Sequence, residues 1–455
     1  MISTASCRKL IKISPPLNTL VTSEVFQTPE QSLQVLAGIY YTMVNDVNSF
    51  AAGRITYYAG LSSDEFQLYN PDIQNAAQFY NNDIQPINAV VGNIFWGTAY
   101  KLIFQANSLI ENIPNTAFKD SVKNELLGQA LFVRAFLNFY LVNLFGDIPL
   151  VQTSNWQSTR LMARSPASEV YQSIISDLKF AADHLSGRFG GERVLPNAYA
   201  AKALLARVYL YNKNWQEAET LASDVIAETG LFALVDAKNI FAPNNKEAIW
   251  QLKQQSLQAN LFKSPEGSLF IPRVKNNANY PPIVYFYKEF INSFDSADAR
   301  RKNWIDSTKL NAGSPALYYP YKYKTGDAQT GTGYTEYHTP LRLAEQFLIR
   351  AEARLRQQNI SRAIEDLNII RNRSSLVPLP QGLGIADVEM YLVAERKKEL
   401  FAEWGHRWLD LKRWNMVNVV MQDLKNEKWQ SYDQWYPLPE KEIMTNPNLT
   451  QNEGY

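Results

Sequence analysis

Two stretches of the chain gather aromatic rings and short polar side chains that no helical repeat absorbs. The first holds Tyr69, Asn70, Tyr80, Asn81 and Asn82, and the second holds Tyr280, Tyr285, Arg300, Trp304 and Tyr318. Ring faces can stack on the apolar face of a sugar, and amides or a guanidinium can hydrogen-bond its hydroxyls. The chemistry these types suit is therefore non-covalent recognition of a polar, ring-shaped ligand. Each ring has a competing role, which is to cover the core beneath its own loop, and that is the commoner fate of an aromatic side chain. Helical faces claim Trp96, Trp215, Trp404, Trp408 and Trp414, so these are assigned to structure.

Other chemistries find little to work with. His184, His338 and His406 are scattered without metal-ligand spacing, and His406 in EWGHRW reads as a structural residue beside a buried stripe. Asp64/Glu65 and Glu395/Glu399 are paired carboxylates of the kind a glycosidase uses. The second pair, however, sits among basic residues in a helical pattern, which is the setting of structural ion pairs. Gly331/Gly333 and Gly382/Gly384 lack the strand-turn-helix context of a phosphate cradle. No catalytic residue, metal or cofactor is expected.

The whole-chain numbers narrow the partners. With 45 basic and 44 acidic residues the net charge is +1, so no overall field favours nucleic acid. The single cysteine, Cys7, excludes an intramolecular disulfide framework and any Cys-rich metal site. Aromatic content of 13% is enough to fill a core and leave rings for a surface. The most apolar region, residues 135–146, contains Asn138 and Asn143 and is shorter than the roughly 20 apolar residues a membrane span needs.

The elements that must position the candidate residues read as mainly α. Residues 1–27 form an extended leader broken by Pro15 and Pro16. Thr28, Pro29 and Glu30 then open a helix to about residue 43. Residues 48–93 lack apolar periodicity and read as an exposed loop cluster. Helical patterns cover 95–113, 122–145, which stops at Gly146 and Pro149, and a stretch opening at Ser168. Residues 197–226 and 341–371 resemble each other: helix, short polar turn, helix, with Ala206 and Ala218 matching Ala351 and Ala363. This is the pattern of a tetratricopeptide-like helical-pair scaffold. A long irregular insertion, 232–340, holds short β segments at 248–253 and 317–324 and one short helix at 283–294. After a loop at 374–385 comes ERKKELFAEWGHRWLDLKRW, residues 395–414. It is expected to be one helix with a buried stripe of Leu400, Trp404, Trp408 and Leu411 and a Glu403–Arg407 pair. Residues 436–455 form an extended tail.

Four stretches together resemble the SusD/RagB nutrient-binding lipoproteins of Gram-negative outer membranes. They are LFVRAFLNFYLVNLFGDIPLV, AAKALLARVYLY with its partner helix, LRLAEQFLIRAEA with its partner, and residues 395–414 with the TNPNLTQNEGY ending. Glu453 stands where that family usually has Pro. The resemblance implies one SusD-like α-helical domain over 28–455, without catalysis. It would bind a glycan, or in some members a peptide, and hand it to a SusC-like TonB-dependent transporter. It also implies residence on the outer face of the outer membrane, with a lipid anchor on Cys7. Thr4, Ala5 and Ser6 before Cys7 resemble the end of a lipoprotein signal, although a lone thiol in a tail fits the residues equally well. Two other functions stay open: a helical-repeat adaptor for another protein, and an α-helical glycan-active enzyme.

Overall fold

Thr28 accepts from the Gln31 amide while the Gln31 side chain accepts from the Thr28 N–H, a capping box that starts helix α1 (Pro29–Asn45) where the sequence places it. The structure is a computed structural model that describes residues 26–255, 263–327, 333 and 335–455. Residues 1–25 of the leader, Cys7 included, and the centre of the TGDAQTGTG link lie outside the described residues.

Among the described residues the α-helices of eight or more residues that follow are α2 (Ile55–Ser62), α3 (Gln74–Asn81), α4 (Thr98–Asn112), α5 (Asp120–Phe145), α6 (Ala167–His184), α7 (Ala198–Tyr211), α8 (Trp215–Ala227), α9 (Leu343–Arg356), α10 (Ile360–Arg373), α11 (Ile385–Leu400), α12 (His406–Arg413) and α13 (Val417–Lys425). From α4 to α10 each packs on the next, as helical pairs must to bury their apolar faces. Helices α8 and α9 are neighbours in space although residues 228–342 intervene, so the insertion leaves and rejoins the stack at one place. The buried apolar side chains form one continuous cluster. Helix α5 has the length and composition to cross a bilayer, but its apolar window is 83% buried inside the protein.

The strands are β1 (Phe66–Leu68), β2 (Ala248–Leu252), β3 (Val284–Phe286), β4 (Ile305–Thr308), β5 (Leu317–Pro320) and β6 (His338–Arg342). They form three antiparallel pairs, β1–β3, β2–β6 and β4–β5. The mainly helical expectation holds, as do the repeated helical pairs and the strands at 248–252 and 317–320.

Several expectations need correction. Residues 48–93 are not an exposed loop. They contain α2, buried along its whole length, and Tyr57 and Tyr58 lie in the core. A helix buried on all sides has no polar face and hence no period to read. Residues 283–294 begin as β3 and become helical only over Lys288–Asn292. The tail includes a short helix, Glu440–Thr445.

The 395–414 stretch is two helices. The backbone leaves helical space at Ala402 (φ 49°), Trp404 (φ 49°) and Gly405 (φ 71°). A Cβ on Gly405 would lie 2.9 Å from that of Ala59, so a side chain is excluded there by both space and backbone conformation. The stripe residues are nevertheless all buried. Trp404 donates its indole N–H to the Thr339 carbonyl (2.9 Å) and its backbone N–H to Thr56 Oγ1 (3.0 Å). The expected Glu403–Arg407 pair is replaced by longer-range ones: Glu403 binds Arg342 (2.7 Å) and Lys322, and Arg407 binds Asp64 (2.6 Å).

Two candidate ligand residues belong to this interior. Arg300 is fully buried and paired with Asp298 (2.8 Å), Glu395 (2.6 Å) and Glu399 (3.2 Å). Trp304 is fully buried, donates to the Ala237 carbonyl (2.7 Å), and lies under the Lys322 ammonium 4.4 Å from its ring centroid. Trp304→Ala is therefore expected to cost about 3–5 kcal/mol of stability. Urea unfolding measures it, and an unchanged midpoint would mean that this ring is not in the core.

Candidate ligand-binding site

Antiparallel pairing of β1 with β3 sets Phe66 opposite Phe286, Gln67 opposite Tyr285 and Leu68 opposite Val284. The period of two turns Phe66, Leu68, Val284 and Phe286 inward. Phe66 packs on Phe270 and Phe286 at 5.4 and 5.5 Å between ring centroids, and a Cβ on Gly60 would collide with the Phe66 ring. The alternate positions face outward. Tyr285 and Tyr287 follow each other along one side of β3, and the Tyr69 N–H extends the ladder by donating to the Ile283 carbonyl (3.1 Å). Tyr69 is 37% exposed, while Tyr285 and Tyr287 are half-buried.

Helix α3 adds Tyr80. Its neighbour Phe79 anchors the helix against Tyr58 and Tyr436, at 4.7 and 5.2 Å between centroids, leaving the half-buried Tyr80 beside the β3 tyrosines. From α13 the Lys425 ammonium reaches in, 4.0 Å from the Tyr80 ring centroid and 3.3 Å from the Tyr287 hydroxyl, to which it donates. Burial pulls the Lys425 pKa down to about 8; Asp64 acts the other way and Lys428 adds to the fall. Burial, the neighbouring Tyr80 and the Asp64 carboxylate push the Tyr287 phenol well up.

A charged cluster lies behind the rings. Arg407 donates twice to Asp64 (2.6 and 2.8 Å) and Lys397 donates once (2.5 Å). Burial alone would raise the Asp64 pKa, but these two cations hold it well below the usual carboxylate range. Glu65, 2% exposed, is pushed up to about 7 by burial and by Asp64, with Lys397 and Arg407 opposing.

The other candidates are dispersed. Asn70 is exposed and accepts from the Asp72 N–H (3.0 Å), shaping its own turn. Asn81 is half-buried at the end of α3. Asn82 is a correction. It is buried in the left-handed conformation that ends α3 (φ 56°), with its amide donating to the Ser62 carbonyl (3.1 Å), so it is a helix cap and not a surface group. Tyr318 sits on β5 under the Arg301 guanidinium, 4.7 Å from its ring centroid. Tyr280, 37% exposed, lines a cleft of about 250 Å³ with Leu269, Ile271, Arg273, Ile283 and Asp327. Ser268, Leu269 and Asp327 border that cleft, and Ser268 and Leu269 also border the larger one, about 520 Å³, whose other walls include Tyr41, Arg54, Gln254 and Lys263. Among the described residues no cluster of His, Cys, Asp and Glu could hold a metal.

Of the ten candidates the fold thus brings Tyr69, Tyr80 and Tyr285 together and adds two that sequence reasoning missed. Tyr287 was findable, since YFY alternates in the same sense as a half-buried strand. Lys425 carries no local signal. Tyrosines on an outward sheet face, borne by a stack of helical pairs, are the arrangement of a helical scaffold that presents a candidate binding surface.

Comparison with known proteins is consistent with that class. A family model described as "Starch-binding associating with outer membrane" matches residues 24–210, and one described as "SusD family" matches residues 272–455. The chain is 26% identical to SusD-like protein P2 of Formosa agariphila over 97% of this chain and 95% of that protein. It is 36% identical to the starch-binding protein SusD of Bacteroides thetaiotaomicron over 27% of this chain and 22% of that one. In fold it resembles a SusD superfamily protein from Bacteroides vulgatus (TM-score 0.81, 22% identity, 94% of this chain and 100% of that one). It also resembles a laminarin-binding SusD-like protein (TM-score 0.80, 22% identity, 94% and 99%). The chain belongs to the SusD/RagB family.

The raised Glu65 carboxyl makes stability depend on pH. A carboxyl shifted from 4.5 to about 7 contributes its full stabilising share below 4.5 and loses it as pH rises through 7. Glu65→Gln removes that loss, so the stability of the variant relative to the parent is expected to improve by roughly 2–3 kcal/mol between pH 4.5 and pH 8. Urea titrations at both pH values read this directly, and a pH-independent difference would show that the carboxyl titrates normally.

Proposed function

We propose that this protein is a surface glycan-binding lipoprotein without catalysis. It captures an oligosaccharide on the tyrosine face and passes it to a SusC-like TonB-dependent transporter. The observation that carries the reading is the convergence of Tyr69, Tyr80, Tyr285 and Tyr287, from regions far apart in sequence, on one outward face. Aromatic faces that are partly open and rigidly mounted suit stacking on sugar rings, and their phenols suit hydrogen bonding to hydroxyls. Family membership and the printed description of the relative SusD as starch-binding support the same ligand class.

The non-catalytic reading is supported at the Asp64/Glu65 pair by the two cations that engage Asp64 and by the burial of Glu65. In the proposed arrangement Cys7 carries the lipid that holds the protein on the outer face of the outer membrane, above the transporter.

Tyr69→Ala and Tyr285→Ala are each expected to weaken glycan binding by about 1–3 kcal/mol with unchanged melting temperature, the cost of losing an anchoring ring. Affinity electrophoresis across a polysaccharide panel measures this, and absence of retention on every member by the parent protein would end the proposal. Membranes of the native host should yield Cys7 as an acylated N-terminus and the protein together with a β-barrel transporter. An intact, unacylated leader and no barrel in the eluate would remove the anchoring and delivery parts.

A further inference from the structure

Building on the glycan-binding reading, we propose that the tyrosine face selects acidic glycans, whose carboxylate or sulfate pairs with the Lys425 ammonium. Lys425 ends α13, where a surface lysine would ordinarily extend into water or lie over its own helix C-terminus. It turns instead onto the ligand face, with Tyr80 4.0 Å away through its ring and Tyr287 3.3 Å away through its hydroxyl. Neither partner is an anion, and among the described residues Lys425 is in no ion pair.

The carboxylate that acts on Lys425, Asp64, is already engaged by Arg407 and Lys397. The charged groups acting on Lys425 are Asp64 and Lys428, and behind Asp64 stand Glu65, Lys397 and Arg407; burial pushes the neighbouring Tyr285 and Tyr287 phenols up. Behind the rings Arg407 and Lys397 are committed to Asp64, and among the described residues Lys425 reaches the face without an ion-pair partner. A half-buried ammonium in that state is costly to hold charged, as its pKa near 8 reflects, and an anionic group delivered by a bound sugar removes the cost. A neutral glycan would satisfy only hydrogen bonds, which an amide side chain supplies with no charge to desolvate.

The purely structural alternative is that Lys425 props the two rings, in which case neutral and acidic sugars would suffer alike from its loss. The full chain, with K425Q and K425R, is tested on a glycan array of neutral, uronate-containing and sulfated oligosaccharides, and on carboxyl-reduced forms of whichever uronates bind. Expected are acidic binders, at least a tenfold loss of their affinity in K425Q, retention in K425R, and little effect of K425Q on the reduced forms. Affinity for the acidic binders should also fall with added salt, and fall as pH rises from 7 to 9 while the ammonium deprotonates. A parent protein that binds only neutral glycans, acidic binders unaffected by K425Q, or an equal loss for acidic and reduced forms would each overturn the selection by Lys425 and leave glycan binding standing. A parent protein that retains no glycan at all would instead overturn the reading on which this one rests.

Discussion

The structure depends on keeping Glu399 ionised in the interior. Its carboxylate receives Arg342 (2.6 Å), Arg300 (3.2 Å) and Arg373, and these three cations hold its pKa well below the usual range although burial alone would raise it. Around it Glu247 binds Arg342 (3.0 Å) and Glu403 binds Arg342 (2.7 Å) and Lys322. Each charge removed from water carries a penalty of several kcal/mol unless its partners and hydrogen bonds are in place, so the cluster is stable only as a whole. Its members come from α10, α11, β6, the Arg300 and Lys322 segments of the insertion, and the turn between α11 and α12. An assembly that tolerates no missing partner fixes the insertion against the helical stack. That in turn fixes β3 against β1.

The broken helix at 401–405 follows from the same requirement. A continuous helix would keep Glu399 and Glu403 one turn apart on one face and pair Glu403 with Arg407. In the structure the chain turns after Leu400, which lets Glu403 meet Arg342 and Lys322 while Arg407 swings to Asp64. Positive φ at Ala402 and Trp404 is paid for by what the turn buries: the Trp404 indole with a satisfied N–H, and Phe401 packed edge-on against Phe286 and Phe290 at 5.4 and 5.3 Å.

These details mark how far the sequence could be read. Elements that bury one face and end on local signals were legible. Thr28 and Gln31 start α1, Gly146 (φ 75°) ends α5, and the two helical pairs repeat their small residues. Elements whose surroundings are buried on all sides were not, because α2 has no polar face to set a period, and α11–α12 is interrupted for the sake of partners far away in sequence. The candidate site divides in the same way. Tyr69, Tyr80 and Tyr285 stand in segments without apolar periodicity, and the β1–β3 pairing together with the packing of α3 unites them. Arg300 and Trp304 share that aperiodic context yet serve the Glu399 cluster, and a single chain without its contacts cannot separate the two uses of an arginine or an indole.

Asp64 links the two halves of this account. It stands just before β1, takes Arg407 from α12 and Lys397 from α11, and acts on Tyr287 and Lys425 at the tyrosine face. The segment leading into β1 is therefore tied to α11 and α12 by the same carboxylate that acts on the rings. The Asp64 carboxylate favours the charged form of Lys425, while burial and Lys428 oppose it. The ion pairs at Glu399 and at Asp64 are one device used twice: a buried carboxylate held by cations from distant segments. At Glu399 it joins the insertion to the helical stack, and at Asp64 it ties the approach to β1 to α11 and α12 beneath the tyrosines.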